Sequence, residues 1–365
     1  MKILFAIPRM NNGGAERVVA NLANSFCDSH TVKVVTFVSG DSFYELDDRI
    51  KYASAPIELN RKSKITRILS LFRNVNKAYD FLVNESVNFK PDIIISFLFE
   101  ADVFTYLLKV NKNINFKWIS SERNDPQEYS YIKKKLFWKI YKKVDLFVCQ
   151  SEYVSSYYSE IDESKKRVIA NPINVSGIPT IKDECYPLKI VAIGRLMKQK
   201  NFNMLLEGFS KAKKEISDEV ILYIFGEGPL RSQLEKKIQI LGLEECTCLP
   251  GSVKDIYREI TDACIFVMTS DYEGFPNVLL EAMAMGIPVI ATDINTGTCK
   301  ALVNDDMGIL VPVGDAVALA CAIRKMLKNT TYRMNIRGKH ALSIQSQYGI
   351  DAISKEWINA MSSIL

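Results

Sequence analysis

Two glutamates, Glu273 and Glu281, stand eight positions apart in a segment that passes from a predicted strand through a loop into a predicted helix. The loop ends in Phe275-Pro276-Asn277, where proline favours a helix start and Asn277 can cap exposed backbone amides. The amides and the dipole at a helix N-terminus attract anions. Two carboxylates around such a terminus indicate a ligand between them, namely a polyol such as a sugar or ribose beside a phosphate.

Two basic residues, Arg195 and Lys200, follow another predicted strand at 189–194. A guanidinium offers a bidentate fork and an ammonium a point charge, and both suit a diphosphate that gains negative charge as it leaves. The pair is therefore a candidate diphosphate site. The alternative is that both are surface charges at a strand end.

Glycines follow three predicted strands. Gly13 and Gly14 come after Lys2–Ile7, Gly226 after Val220–Phe225, and Gly251 lies in a strand and loop over 247–253. A glycine pair between a strand and a helix allows close backbone approach and presents free amides to a ligand. A tight turn without ligand remains the alternative, and the Gly-x-Gly-x-x-Gly dinucleotide fingerprint is absent.

Polar residues also follow the predicted strand at 116–120, where Glu122, Arg123 and Asn124 form a cluster. Open α/β sheets bind ligands just beyond the carboxyl ends of their strands. We therefore take the three residues as candidates for sugar or acceptor binding. An exposed salt bridge within the loop is the other interpretation.

The elements that position these residues alternate between strands and helices along all 365 residues. Continuously apolar strands such as Ile93–Phe97 are typical of buried parallel sheets. The length suits two domains, and a polar run with two prolines separates them. We predict α/β domains over 1–172 and 173–345, and a C-terminal helix over 346–365. Helices are predicted at 317–327 and 331–342 as well.

Charge is distributed unevenly between the two halves. Residues 1–172 have 26 Lys and Arg against 20 Asp and Glu, whereas residues 173–365 have 21 against 22. Basic amphipathic segments at 61–82 and 132–143 account for much of the excess. They indicate an acidic partner or an anionic membrane surface, with simple packing on the sheet as the alternative. Nucleic acid is disfavoured because no recognised binding motif occurs.

The cysteines and histidines restrict the compartment and the metal chemistry. Eight cysteines occur without any Cys-x-x-Cys pair, which is typical of reduced core thiols in a cytoplasmic protein. Two histidines make a histidine-based metal site improbable. No apolar run approaches the roughly 20 residues of a membrane helix, so we expect a cytoplasmic protein, either soluble or peripheral on the inner face of the plasma membrane.

The segment from Glu273 to Thr292 resembles the signature of retaining, nucleotide-sugar-dependent glycosyltransferases of family 4. Further resemblance comes from Gly-Gly-Ala-Glu-Arg after the first strand, from Gly-Arg-Leu with its downstream Lys-Asn, and from the strand and turn at 308–315. It is densest over 189–315. The resemblance implies the GT-B architecture, in which two Rossmann-like domains face each other across a cleft, the first binding the acceptor and the second the nucleotide sugar. It also implies that the C-terminal helix crosses back to the first domain.

The resemblance also implies roles for individual residues. Glu281 would hold the ribose, Glu273 the donor sugar, and the amides near Leu280 the phosphate. Many relatives have a histidine in the loop where Arg123 stands, so an imidazole role is lost here. The implied catalytic residues are Arg195, Lys200, Glu273 and Arg123. The implied donor-binding residues are Gly13, Gly14, Arg195, Lys200, Gly226, Gly251, Val253, Glu273, Gly274, Phe275, Pro276, Asn277, Leu280 and Glu281, and the acceptor-binding residues are Glu122, Arg123 and Asn124.

The implied reaction moves a hexose from a UDP-sugar, with GDP as the other nucleotide option, to an acceptor hydroxyl with retained anomeric configuration. The implied acceptor is a polyprenyl-diphosphate-linked saccharide in bacterial surface polysaccharide or O-antigen assembly. No Asp-x-Asp motif occurs, so metal independence is expected, without any cofactor. A GT-B-type nucleotide-sugar epimerase and a non-catalytic nucleotide-sugar-binding protein are the alternatives.

Overall fold

The computed structural model describes the chain except residues 59–63, 112–113, 124–125, 127–128, 130, 175–180, 182–185, 217–218, 254, 295–296, 304–306 and 340, and except the side chains of 64–73, 131–135 and 301. The chain divides into two compact units. The first comprises Met1–Asn174 with Ile350–Leu365, and the second comprises Val175–Gly349. The boundaries proposed from sequence, after residues 172 and 345, lie two and four residues from these divisions.

The first unit contains a parallel sheet of seven strands in the order β3-β2-β1-β4-β5-β6-β7. The strands are β1 Lys2–Ile7, β2 Thr31–Thr36, β3 Lys51–Ser54, β4 Ile93–Phe97, β5 Lys117–Glu122, β6 Leu146–Cys149 and β7 Lys166–Val168. The helices are α1 Gly14–Phe26, α2 Lys64–Phe89, α3 Phe99–Asn111, α4 Tyr131–Tyr141 and α5 Glu152–Tyr157, with a 3₁₀ turn at Glu163–Lys165. The strand order reverses direction between β1 and β4.

The central strands of this sheet are buried because helices cover both faces, as their apolar sequences predict. Successive residues of β1 alternate between the two layers. Phe5 belongs to a core cluster with residues of α1, whereas Leu4 belongs to a second cluster with residues of α3 and α4. Each face therefore has its own apolar layer, and the carboxyl ends of the strands are left to the connecting loops.

The second unit contains a parallel sheet of six strands in the order β10-β9-β8-β11-β12-β13. Its strands are β8 Leu188–Ile193, β9 Val220–Phe225, β10 Thr247–Gly251, β11 Ile265–Met268, β12 Val289–Thr292 and β13 Gly308–Val311. Its helices are α6 Phe202–Lys213, α7 Arg231–Leu241, α8 Ile256–Glu259, α9 Asn277–Ala284, α10 Thr298–Leu302, α11 Ala316–Lys328, α12 Thr330–Ile336 and α13 Ala341–Tyr348, with 3₁₀ turns at Lys198–Lys200 and Glu244–Cys246. The prediction of two parallel α/β domains is confirmed.

The helix predicted at 331–342 is wrong as a single element. α12 ends at Ile336, and Gly338 has a φ of 77° that interrupts the helix. The amide of Gly338 donates to the carbonyl of Gly286 at 2.9 Å, so a contact distant in sequence fixes the break. The predicted pattern also lacked β3, which is short and only half-buried.

The C-terminal helix, α14 Ile350–Ser362, packs on α1 of the first unit. Trp357 is fully buried there, and its ring stacks on Phe97 at 6.3 Å between centroids. The last helix therefore completes the core of the first unit although the second unit precedes it in the chain. Such a return is what the family resemblance implied.

Candidate functional site

Two loops of the second unit meet where its strand order reverses. β8 lies between β9 and β11, so the loop after β8 and the loop after β11 leave neighbouring strands at one edge of the sheet. Open parallel sheets bind ligands at such a switch point. The first loop contains Arg195 and Lys200, and the second contains Glu273.

Lys200 and Glu273 form an ion pair, with Nζ at 2.5 Å from Oε1. Their side chains are only 15% and 10% exposed, so the pair is shielded from most of the solvent. Ser270 donates its hydroxyl to the same carboxylate oxygen at 2.6 Å, and Gln199 donates its side-chain amide to the other oxygen at 3.4 Å. A cation and a carboxylate predicted from distant sequence positions are thus brought together.

The geometry of Gly194 makes room for Lys200. A Cβ atom at Gly194 would lie 3.0 Å from Cε of Lys200, which is closer than side chains normally approach. The lysine stem therefore lies over the bare α-carbon of Gly194 and reaches Glu273 from there. Arg195 is exposed, and among the described residues its side chain makes no hydrogen bond or ion pair. Its guanidinium is available to a ligand.

Gly226 holds the ends of three strands close together. Its φ of 139° is a conformation that other residues rarely adopt, and a Cβ atom there would overlap the carbonyl of Gly194. Its amide donates to the carbonyl of Gly251 at 2.8 Å. Gly194, Gly226 and Gly251, at the ends of β8, β9 and β10, therefore form one backbone surface, and Gly226 and Gly251 were predicted as site residues. Half-buried Val253 lies just beyond Gly251.

The predicted cap of the helix between Glu273 and Glu281 is wrong, because Asn277 lies inside the helix and does not precede it. α9 starts at Asn277, and Pro276 takes the N-cap position without a side-chain cap. The amide of Leu280 donates to the carbonyl of Pro276 at 3.2 Å, so it is already used inside the helix. In the described chain the amide of Val278 makes no such bond, which leaves it for an anion. Gly274 and Phe275 are half-buried in the loop before the helix.

Glu281 lies on the second turn of α9 and is 4% exposed, while Glu273 is 8% exposed in the preceding loop. Carboxylates are rarely buried to this degree unless they have partners. Glu273 has its partners in Lys200 and Ser270. The two glutamates thus flank the first turn of α9, as their spacing predicted.

The glycine loop of the first unit precedes α1. Gly13 takes the N-cap position and Gly14 is the first helical residue. Tyr44 donates its hydroxyl to the carbonyl of Gly13 at 3.0 Å, and the Arg17 guanidinium lies 5.6 Å from the Tyr44 ring centre. The loop is therefore held from outside by a tyrosine that the sequence did not indicate.

Glu122 points into the first unit and is 2% exposed. Tyr129 and Tyr158 each donate a hydroxyl to its carboxylate at 2.9 Å, and the Arg123 amide donates to it as well. Asn124 lies outside the described residues. The position of Glu122 at the carboxyl end of β5 was predicted, but its hydrogen bonds are internal.

Arg123 is buried beside it, which rules out the alternative of an exposed salt bridge within the loop. The side chain donates to Asn171 at 2.6 Å and to Ser121 at 2.8 Å, and within the described chain it makes no ion pair. Its guanidinium lies 5.5 Å from the ring centre of Phe97 and 5.6 Å from that of Trp357. Burial lowers the pKa of Arg123 to about 10. The residue ties the end of β5 to the C-terminal helix.

The described cysteines are unpaired thiols, but Cys321 is exposed and does not belong to the core, contrary to the general expectation.

Across the described ranges, no group of three His, Cys, Asp or Glu residues is arranged to hold a metal ion. Metal independence stays a prediction. Every helix in the described part of the chain is too short or too polar to cross a membrane.

Comparison with solved structures identifies the architecture. Anabaena Alr3699/HepE in complex with UDP matches with a TM-score of 0.78 and 18% identity, covering 100% of both chains. Sucrose-phosphate synthase from Thermosynechococcus elongatus matches with a TM-score of 0.81 and 18% identity, covering 100% of this chain and 99% of the other. These similarities define the fold as GT-B, with two Rossmann-like domains.

Two family models then match successive parts of the sequence. The Glycosyltransferase Family 4 model matches residues 12–176, and the Glycosyl transferases group 1 model matches residues 185–340. The chain belongs to the family 4 glycosyltransferases and is a transferase of that class. The family predicted from the motif is confirmed.

Two full-length relatives are involved in bacterial polysaccharide and glycan assembly. The first is the Campylobacter jejuni GalNAc-alpha-(1->4)-GalNAc-alpha-(1->3)-diNAcBac-PP-undecaprenol alpha-1,4-N-acetyl-D-galactosaminyltransferase, 27% identical over 100% of this chain and 99% of its own length. The second is the amylovoran biosynthesis glycosyltransferase AmsD of Erwinia amylovora, 25% identical over 98% of both chains.

Proposed function

We propose that the protein is a retaining glycosyltransferase that moves a sugar from a UDP-sugar to a hydroxyl of a polyprenyl-diphosphate-linked saccharide in bacterial surface polysaccharide assembly. The observation that carries the proposal is the Lys200–Glu273 pair at the switch point of the second sheet. The pair would provide a cation for phosphate and a carboxylate for sugar hydroxyls, at the edge where parallel sheets bind ligands.

The donor would extend along the residues that surround this pair. Glu281 would accept hydrogen bonds from the ribose hydroxyls, and the backbone beside Gly251 and Val253 would contact the base. The diphosphate would lie against Arg195, Lys200 and the first turn of α9. The resemblance of the fold to HepE, whose structure contains UDP, supports a uridine nucleotide.

In the proposed reaction these residues would stabilise the leaving diphosphate. The bond between the anomeric carbon and the diphosphate breaks through an oxocarbenium-like state. The acceptor oxygen bonds to the same face of that carbon, and its proton passes to the departing phosphate oxygen. Arg195 and Lys200 would neutralise the charge that develops on the diphosphate, so we propose that the cations act without a metal. Glu273 would orient the sugar through its hydroxyls.

The acceptor assignment depends on the first unit and on the relatives. The Campylobacter jejuni enzyme is named for an undecaprenol-diphosphate acceptor, which supports a lipid-linked saccharide for this chain. Glu122 and Arg123 lie at the carboxyl end of β5, where an acceptor would be expected, but most of their polar atoms are engaged internally. We propose that they shape the acceptor site through the backbone around them.

The central experiment measures sugar transfer with a panel of UDP- and GDP-sugars and a lipid-linked acceptor. We expect Arg195→Ala and Lys200→Ala each to reduce transfer by about 10²-fold or more. Glu281→Ala is expected mainly to weaken nucleotide binding. Lys198→Ala is the matched control, because Lys198 is an exposed lysine in the same 3₁₀ turn. Full activity in both basic variants would refute the assignment.

Product analysis separates the proposal from other uses of the same fold. Incubation with donor alone should give slow hydrolysis at most, and the anomeric configuration of the transferred sugar should match that of the donor. An epimerised nucleotide sugar in the absence of acceptor would indicate an isomerase. Donor binding without turnover for any acceptor would indicate a binding protein.

We also propose that the first unit associates with anionic lipid. Lys139, Lys142 and Lys143 are exposed on α4 and just after it, next to Leu136, which is 42% exposed. The basic side chains at 61–73 and 133–135 lie outside the described residues. Flotation with anionic liposomes should show binding that high salt abolishes. Replacement of the three exposed lysines by glutamate should reduce it, and salt-independent behaviour would contradict the idea.

A further inference from the structure

One backbone conformation in the second unit is unusual for its residue. Asn201 has φ 44° and ψ 46°, the left-handed region that favours glycine. It lies directly after Lys200, between the 3₁₀ turn Lys198–Lys200 and α6. Non-glycine residues in this region persist where surrounding contacts hold them, and such residues concentrate at functional sites. The contacts of Asn201 therefore need explanation.

The side chain of Asn201 makes two hydrogen bonds, one as acceptor and one as donor. Its oxygen accepts from the amide of Met204 at 3.2 Å and so caps α6. Its amide nitrogen donates to a carboxylate oxygen of Asp271 at 2.7 Å. Asp271 belongs to the loop after β11, three residues after Met268, so the bond joins the loops of two neighbouring strands.

Further hydrogen bonds join the same two loops. The amide of Asp271 donates to the carbonyl of Gln199 at 2.8 Å, and Gln199 donates its side-chain amide to the carbonyl of Tyr272 at 3.0 Å. Thr269 donates its hydroxyl to the carbonyl of Lys200 at 3.0 Å. The residues that precede and follow Lys200 are thus fixed to the residues that precede Glu273.

We propose that Asn201 and Asp271 are positioning residues that set the place of the Lys200 ammonium relative to Glu273. This inference rests on the proposed function of that pair. The left-handed turn at Asn201 directs Lys200 back across Gly194, and the bond to Asp271 keeps the turn against the carboxylate loop. A donor that contacts both groups then meets them at a preset separation, so little ordering is needed on binding.

The capping bond alone does not account for the geometry. An asparagine can cap a helix from an extended conformation, which is the usual one for an N-cap residue. Asn201 adopts the left-handed conformation instead, and this brings its amide within 2.7 Å of Asp271. Because the acceptor is a carboxylate oxygen of the half-buried Asp271, the bond is charge-assisted and stronger than a neutral one.

The test uses UDP and UMP as probes, with affinities measured by calorimetry on the full chain. Lys200 is proposed to contact the diphosphate, so it should contribute to UDP binding much more than to UMP binding. Asn201→Gly permits the left-handed turn and retains a tolerable cap, but it removes the bond to Asp271. We expect Asn201→Gly and Asp271→Ala each to reduce the preference for UDP over UMP by about tenfold, with UMP affinity and the thermal midpoint nearly unchanged.

A reciprocal exchange provides the rescue. Asn201→Asp alone places two carboxylates together and should reduce the preference further. Combined with Asp271→Asn, it restores a donor facing an acceptor, so the double variant should recover most of the wild-type preference. Asn203→Ala is the matched control, since Asn203 is an exposed asparagine on the same helix.

The outcomes distinguish this inference from the proposed function. A wild-type protein that binds UDP no better than UMP would refute the diphosphate site itself. A wild-type preference that Lys200→Ala removes but Asn201→Gly and Asp271→Ala retain would refute the positioning role alone. Equal loss of UDP and UMP affinity with a lowered thermal midpoint would show a purely structural role and would also overturn the inference.

Discussion

Replacement of Lys200 by methionine should lower both the stability of the second unit and the rate of sugar transfer. A second substitution at Glu273 should restore part of the stability alone. Methionine has a similar length but no charge, so Lys200→Met leaves the Glu273 carboxylate without its cation while Ser270 and Gln199 still donate to it. Removal of one partner of a fully buried ion pair costs about 3–5 kcal/mol. Because these side chains keep 15% and 10% exposure and Glu273 keeps two hydrogen bonds, we expect about 2 kcal/mol.

A loss of that size should lower the thermal midpoint of a unit of this length by about 4–8 °C. Glu273→Gln should cost less, since the amide oxygen can still accept from Ser270 and the Lys200 ammonium can turn to solvent. The double variant Lys200→Met with Glu273→Gln removes the stranded charge. We therefore expect it to recover about 1 kcal/mol relative to Lys200→Met.

Thermal unfolding of the ligand-free protein and a transfer assay would be run on all three variants. Transfer should fall in each of them, including the double variant whose stability is partly restored, because the proposed phosphate and sugar contacts are lost. Strict additivity of the two single effects would refute the coupling between the side chains. Retention of wild-type transfer by Lys200→Met would refute the assignment of Lys200 to the diphosphate.

Three other perturbations follow from single contacts. Gly226→Ala should destabilise the second unit by more than about 1 kcal/mol in urea denaturation, because a Cβ atom would meet the Gly194 carbonyl. Trp357→Ala should cost about 3–5 kcal/mol and unfold the first unit preferentially, seen by hydrogen exchange. Burial raises the pKa of Asp102, so the native state binds more protons than the unfolded state above about pH 4, and stability should fall as pH rises. Asp102→Asn should flatten that dependence above about pH 4, as measured by urea denaturation at a series of pH values.

The pattern of residues determined much of the fold. Continuously apolar strands separated by amphipathic helices predicted parallel α/β domains, because only strands covered on both faces need such sequences. The motif around Glu273 and Glu281 identified the family, since a family signature is local and survives at 27% identity. The prediction of one helix over 331–342 was wrong because the end of that helix depends on a contact outside the segment. Its break at Gly338 depends on a hydrogen bond to Gly286, which no local pattern reveals.

The neighbours of the site residues were decided only by the tertiary structure. Polar residues such as Asn201, Asp271 and Thr269 stand beside recognised motifs, but their hydrogen bonds join loops about 70 positions apart. The same holds for Arg123, which was predicted to bind sugar or acceptor and is held near two aromatic rings, one of them in the last helix. Sequence specifies which groups are present, and strand order decides which of them meet, because parallel strands bring distant loops to one edge of a sheet.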